Sequence, residues 1–103
     1  MNALLARRCI HGDRITLAFV RLAAGCVVPE HHHEAEQFTY AVSGSLRFAI
    51  EGEELVLRAG ELVEIPSNVS HSARAEEEFV GIDVFSPIRA DWRDATDDYL
   101  RRK

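Results

Sequence analysis

At 103 residues the chain has room for one modest hydrophobic core and not for two. Twelve basic residues against 17 acidic ones give a net charge of −5, which argues against a phosphate backbone as partner, and no apolar run approaches the roughly 20 residues of a membrane helix. With 47% hydrophobic and 28% charged residues the composition is that of a soluble globular domain, so neither nucleic acid nor a membrane is expected as partner.

The N-terminal stretch Met1 to Arg8 reads as a short helix or an added strand. Its apolar patch is followed rather than preceded by arginines, unlike a secretory signal, and a cytoplasmic location is expected. Strand-like segments then run from Arg14 to Leu22, Cys26 to His33, Gln37 to Val42, Ser45 to Ile50, Glu54 to Arg58, Glu61 to Ile65, His71 to Ala75 and Phe79 to Phe85. These runs are β-branched and aromatic, and the glycines, Pro66 and Asn68 between them supply turn dihedrals. Eight short strands predict an all-β closed barrel or jelly roll. Pro87 to Lys103, with Trp92 and Tyr99 as apolar anchors, reads as a helical tail, and nothing divides residues 1–103 into more than a single domain. Cys9 and Cys26 lack CxxC spacing and read as small apolar residues in a reducing compartment.

The segment PEHHHEAEQF, Pro29 to Phe38, gathers three of the five histidines beside three acids and an amide. By itself it fits a solvated polar loop as well as a metal site. In a strand His31 and His33 share a face and His32 points away, so two imidazoles converge. Gln37, just past the Glu34-Ala35-Glu36 turn, and His71, opening a later strand, are natural further donors, with Glu34 or Glu36 as replacements for Gln37.

Spacing sharpens this reading. Gly25, His31, His33, Gln37 and Gly44 fit G-x5-H-x-H-x3-E-x6-G except at Gln37, and Gly60, Pro66, Asn68 and His71 fit G-x5-P-x-G-x2-H except at Asn68. Together these resemble the two signature motifs of the cupin superfamily, over about Gly25 to Phe85. The resemblance implies a single-domain RmlC-like jelly-roll barrel with short terminal extensions. It also implies one divalent transition metal (Zn, Ni, Fe, Mn or Co) held by His31, His33, Gln37 and His71. Asparagine tolerates positive φ better than other non-glycine residues, so the turn at Asn68 should survive. Gln37 in place of glutamate leaves a bound dication its full charge of about +2, a stronger Lewis acid that attracts anions.

A second cluster, DVFSPIR, spans Asp83 to Arg89. By alternation Asp83 and Phe85 share a face; facing inward they line a pocket, with Arg89 beyond the Pro87 turn able to fold over its mouth. Equally, Asp83 fits a turn cap, Phe85 a core ring and Arg89 a solvated side chain. The spacing D-x-F-x3-R, with three histidines and a glutamine upstream, is similar to that of cupins that open the ring of unsaturated uronates in pectin and alginate breakdown. That resemblance implies a small anionic sugar acid as substrate, with Asp83, Phe85 and Arg89 catalytic: Asp83 moving a proton, Arg89 clamping the carboxylate and Phe85 shaping the apolar wall.

A noncatalytic metal-bearing cupin that binds or senses a ligand stands beside this reading, as does a non-haem iron dioxygenase, which the lack of a carboxylate among the expected ligands disfavours. A homodimer is expected. If Gln37, Thr39 and Ala41 face the pocket, then Phe38, Tyr40 and Val42 form an outward apolar row that a partner would cover.

Overall fold

The computed structural model describes residues 4–89, which form nine β-strands, with no helix among the described residues. They are β1 (Leu5–His11), β2 (Thr16–Leu22), β3 (Val27–His31), β4 (Glu36–Ser43), β5 (Ser45–Ile50), β6 (Glu53–Arg58), β7 (Leu62–Ile65), β8 (His71–Arg74) and β9 (Phe79–Ser86). Antiparallel pairing builds a five-stranded sheet in the order β1-β2-β9-β4-β7 and a four-stranded sheet in the order β3-β8-β5-β6. The expected all-β jelly roll is the fold.

Alternation explains which side of each strand is buried. In β2, Thr16, Ala18, Val20 and Leu22 turn inward while Leu17, Phe19 and Arg21 face out. Leu46, Phe48, Leu57 and Ala73 of the smaller sheet meet Val20, Leu22, Ala41, Phe79 and Phe85 of the larger one in a single core. Cys9 and Cys26 are buried and unbridged, and burial pushes the Cys26 thiol up, away from the reactive thiolate.

Of the two forms expected for the N-terminal segment the added strand is the one taken, and one strand boundary needs correction. The N-terminal segment is an edge strand that continues through Cys9, Ile10 and His11, because Leu5, Arg7, Cys9 and His11 share the inward face and pair along the whole length of β2. The third strand stops at His31 rather than His33. Pro29 has no N–H to give the ladder, and the register of β3 on β8 slips between Val28 and His31. The helical tail falls largely outside the described residues.

The motif turns behave as their spacing implies. Gly44 has φ of 76°, and a Cβ there would collide with the Glu78 carbonyl oxygen, so this tight β4–β5 corner requires glycine. Asn68 takes φ of 62° in the position where the cupin pattern has glycine.

Candidate metal centre and its cavity

The centre is assembled at one end of the barrel by strand register. His31 and His71 are cross-strand partners of β3 and β8, with ring centroids 4.3 Å apart. His33 reaches the same point from the loop beyond β3, its ring 5.5 Å from His31 and 4.9 Å from His71. That loop is held by the turn after β7: the Asn68 N–H donates to the His33 carbonyl at 2.8 Å and the Ser67 hydroxyl to that of Glu34 at 2.6 Å. The second motif therefore buttresses the first. The sequence argument placed His33 correctly for the wrong reason, since a loop rather than strand alternation delivers it.

Each histidine donates its Nδ1–H to a backbone carbonyl: His31 to Pro29 at 2.8 Å, His33 to Ala35 at 2.7 Å and His71 to Val69 at 2.9 Å. This fixes the tautomer and leaves every Nε2 lone pair available. One nitrogen from each ring falls within 4.8 Å of the others, close enough to share one ion. The His33 Nε2 is buried with no hydrogen-bond partner, a costly arrangement for an imidazole unless something else takes its lone pair. Burial is the main cause holding His33 and His71 below the ordinary histidine range, with the neighbouring Arg89 guanidinium and the other imidazoles adding to it. Neutral imidazoles with converging lone pairs fit a divalent transition metal. His32 is exposed and takes no part.

Gln37 on β4 lines the same cavity as His31 and His71. Neither acidic replacement does: Glu34 is exposed, and Glu36 pairs with Glu64, which pushes the Glu36 carboxyl up. The Gln37 Nε2 donates to the Thr39 hydroxyl at 2.9 Å, and that hydroxyl donates to the Asp83 carboxylate at 2.6 Å. Thr39 and Asp83 are direct partners between β4 and β9, as are Gln37 and Phe85.

Asp83 lines the cavity beside this pair, half-buried, and desolvation pushes its carboxyl up to about 6 against the opposing pull of the Thr39 hydroxyl, Arg89 and Gln37. Phe85 is buried, its ring edge-on to His33 at 5.6 Å, and the Arg89 guanidinium lies over the Phe85 ring at 4.9 Å. Arg89 is buried and not a solvated tail residue; its backbone N–H donates to the Thr16 hydroxyl at 2.9 Å, and Thr16 in turn bonds His11 Nδ1 at 2.8 Å. All seven residues singled out in the sequence thus converge on one region.

A match to the Cupin domain family covers residues 18–85. The chain belongs to the cupins. The pectin degradation protein KdgF of Dickeya dadantii (strain 3937) is 35% identical over 82 residues, 78% of this chain and 74% of that protein. The structure of KdgF from Halomonas sp. superposes with a TM-score of 0.83 at 31% identity, covering 88% of this cupin and 86% of its own chain. An RmlC-like cupin from Shewanella frigidimarina NCIMB 400 gives 0.84 at 27% identity, covering 89% and 84%.

Sequence reasoning missed what β1 contributes. Leu5 and Arg7 line the cavity, and His11 props Thr16. The period-two pattern of Leu5, Arg7, Cys9 and His11 was the signal available, but it is polar at two of four positions and so leaves helix and strand undivided and the cavity-facing side unmarked.

Proposed function

We propose that this cupin is a metal-dependent enzyme that opens and ketonises the ring of 4,5-unsaturated monouronates. The observation that supports it best is the meeting, in one cavity, of a metal-ready histidine cluster, a desolvated carboxylate and a guanidinium. The kinship to a protein named for pectin degradation adds the substrate class. His31, His33, His71 and Gln37 would hold one divalent transition metal (Zn, Ni, Fe, Mn or Co). When bound, it supplies Lewis acidity toward a ring or anomeric oxygen.

The remaining steps belong to the chain's own residues. Arg89 pairs with the substrate carboxylate and is itself held by Phe85 and Thr16. Asp83 takes up and returns the proton that ring opening and ketonisation move. Phe85 supports Arg89 and closes the apolar wall. The test is to supply unsaturated galacturonate to metal-loaded protein and follow loss of its conjugated absorbance. Arg89→Ala should raise KM far more than it lowers kcat. A loaded protein that leaves every unsaturated uronate intact is a ligand-binding cupin instead.

We also propose that the protein is a homodimer formed through the outer face of the five-stranded sheet. Phe19, Ile82, Tyr40 and Leu62 lie in register across β2, β9, β4 and β7, with Leu17, Val84 and Phe38 in the row beside them. Phe19 is 47% exposed and Leu62 68%, a contiguous apolar area unlike that of a soluble monomer. Arg8 and Arg21 flank it on the β1–β2 side and Glu36 and Glu64 on the β4–β7 side. A two-fold axis lays the basic edge of one copy on the acidic edge of the other. Light scattering at micromolar concentration should give twice the chain mass, and Tyr40→Glu the mass of one chain; a monomeric parent would refute the interface.

A further inference from the structure

We propose that Thr39 is a positioning residue for the metal: it holds the Gln37 side-chain amide in the one orientation that presents a donor oxygen. This rests on the reading of Gln37 as the fourth ligand and extends it to a residue that touches neither metal nor substrate.

A hydroxyl carries one hydrogen. Thr39 is 1% exposed, so water does not share its hydrogen bonds, and both of its contacts are assigned by that single hydrogen. The 2.6 Å separation from Asp83 Oδ1 lies in the range of a charge-assisted O–H···O⁻ bond, so the hydrogen goes to the carboxylate. The lone pairs of Thr39 Oγ1 are then what faces Gln37, and only an N–H can meet them; this is the Nε2 contact at 2.9 Å. Reversing the amide would set Oε1 against an oxygen with no hydrogen left, losing the bond and placing two acceptors face to face.

The consequence falls on the other arm of the amide. The nitrogen of a carboxamide has its lone pair delocalised and is a poor ligand, whereas the carbonyl oxygen is a good one. With Nε2 turned to Thr39 and toward the Asp83 carboxylate that Thr39 holds, Oε1 is the arm left for an ion. A glutamate in this position would need no such device, because its two oxygens are equivalent. The orienting chain is built into the sheet, since Gln37 and Thr39 are two apart on β4 and Thr39 faces Asp83 across the β4–β9 ladder.

The experiment measures Ni²⁺ dissociation constants by competition with a chromogenic chelator, with no substrate present, for the parent, Thr39→Val, Thr39→Ser, Gln37→Ala and the Thr39→Val/Gln37→Ala double variant. Valine keeps the shape and removes the hydroxyl, and binding should weaken about 10- to 100-fold, the usual cost of losing a partner that orients a ligand. Serine should restore the parent constant. In the Gln37→Ala background Thr39→Val should add nothing, because its effect passes through the amide. Thr39→Ala serves the same test if valine is not accepted in the packed strand. The proposal is overturned if Thr39→Val binds Ni²⁺ like the parent, or if its cost persists undiminished without Gln37. It also falls if Gln37→Ala alone leaves affinity unchanged, and the uronate reading, judged separately by turnover, can stand in any of these cases.

Discussion

Asp83→Asn should keep its metal and lose about 10²- to 10⁴-fold in ring opening, the usual cost of removing a positioned acid–base group. The substitution preserves shape, and the asparagine carbonyl still accepts the Thr39 hydrogen, so the orienting chain to Gln37 survives. What is lost is the ability to take up and return a proton. With the carboxyl pushed up to about 6, the parent in its metal-free form is ionised at neutral pH but close to balance, the condition in which a carboxylate exchanges protons readily. The kcat/KM profile should fall on the acid side as Asp83 protonates, with a bound dication moving that limb below 6, and Asp83→Asn should lack the limb. A variant that turns over unsaturated uronates at the parent rate would leave Asp83 without a chemical role.

The same group has an opposite effect on stability. Between its ordinary value of 3.8 and about 6, the folded chain holds the Asp83 proton more tightly than the unfolded chain does. The Asp83 contribution to stability is therefore present at low pH and is lost as pH rises through that window. Asp83→Asn removes this loss, and its metal-free melting temperature at pH 7 should exceed the parent's. Thr39, Arg89 and Gln37 are what keep the desolvated charge tolerable. A residue retained at the expense of stability is a mark of function rather than packing.

Legibility in the sequence followed the physics of each feature. Period-two alternation and turn residues carried the eight strands β2 to β9, because burial of one sheet face imposes them locally. Gln37, Thr39, Asp83 and Phe85 could be placed on inward faces for the same reason. Which of them touch could not be read, since contact depends on register between β4 and β9, strands about forty residues apart whose pairing no local pattern encodes. Arg89 was undecidable for a related reason: its burial depends on Thr16, 73 residues upstream. His33 shows the reverse case, in which motif spacing gave the correct neighbour although the strand assumed to deliver it ends two residues earlier.

His71→Ala and His31→Ala should each abolish stoichiometric metal binding, lowering affinity by more than the roughly 10- to 100-fold expected of an outer partner, while His32→Ala stays fully loaded. His71 is the sharper case. It is 4% exposed, its Nδ1 is committed to the Val69 carbonyl, and it sits directly across the ladder from His31, so the backbone fixes its ring against that of His31. His33 and His71 stay neutral to lower pH than an ordinary histidine, mainly because burial disfavours the imidazolium. Protons should therefore compete less strongly with a metal at His33 and His71 than at ordinary histidines, and occupancy should fall as acid displaces the ion. Since only the folded chain brings the three rings together, added Ni²⁺ should raise the melting temperature of the parent and of His32→Ala, and leave that of His71→Ala unmoved. Elemental analysis showing full occupancy in both His31→Ala and His71→Ala would remove these residues from the site, and with them the Lewis acid on which the proposed chemistry depends.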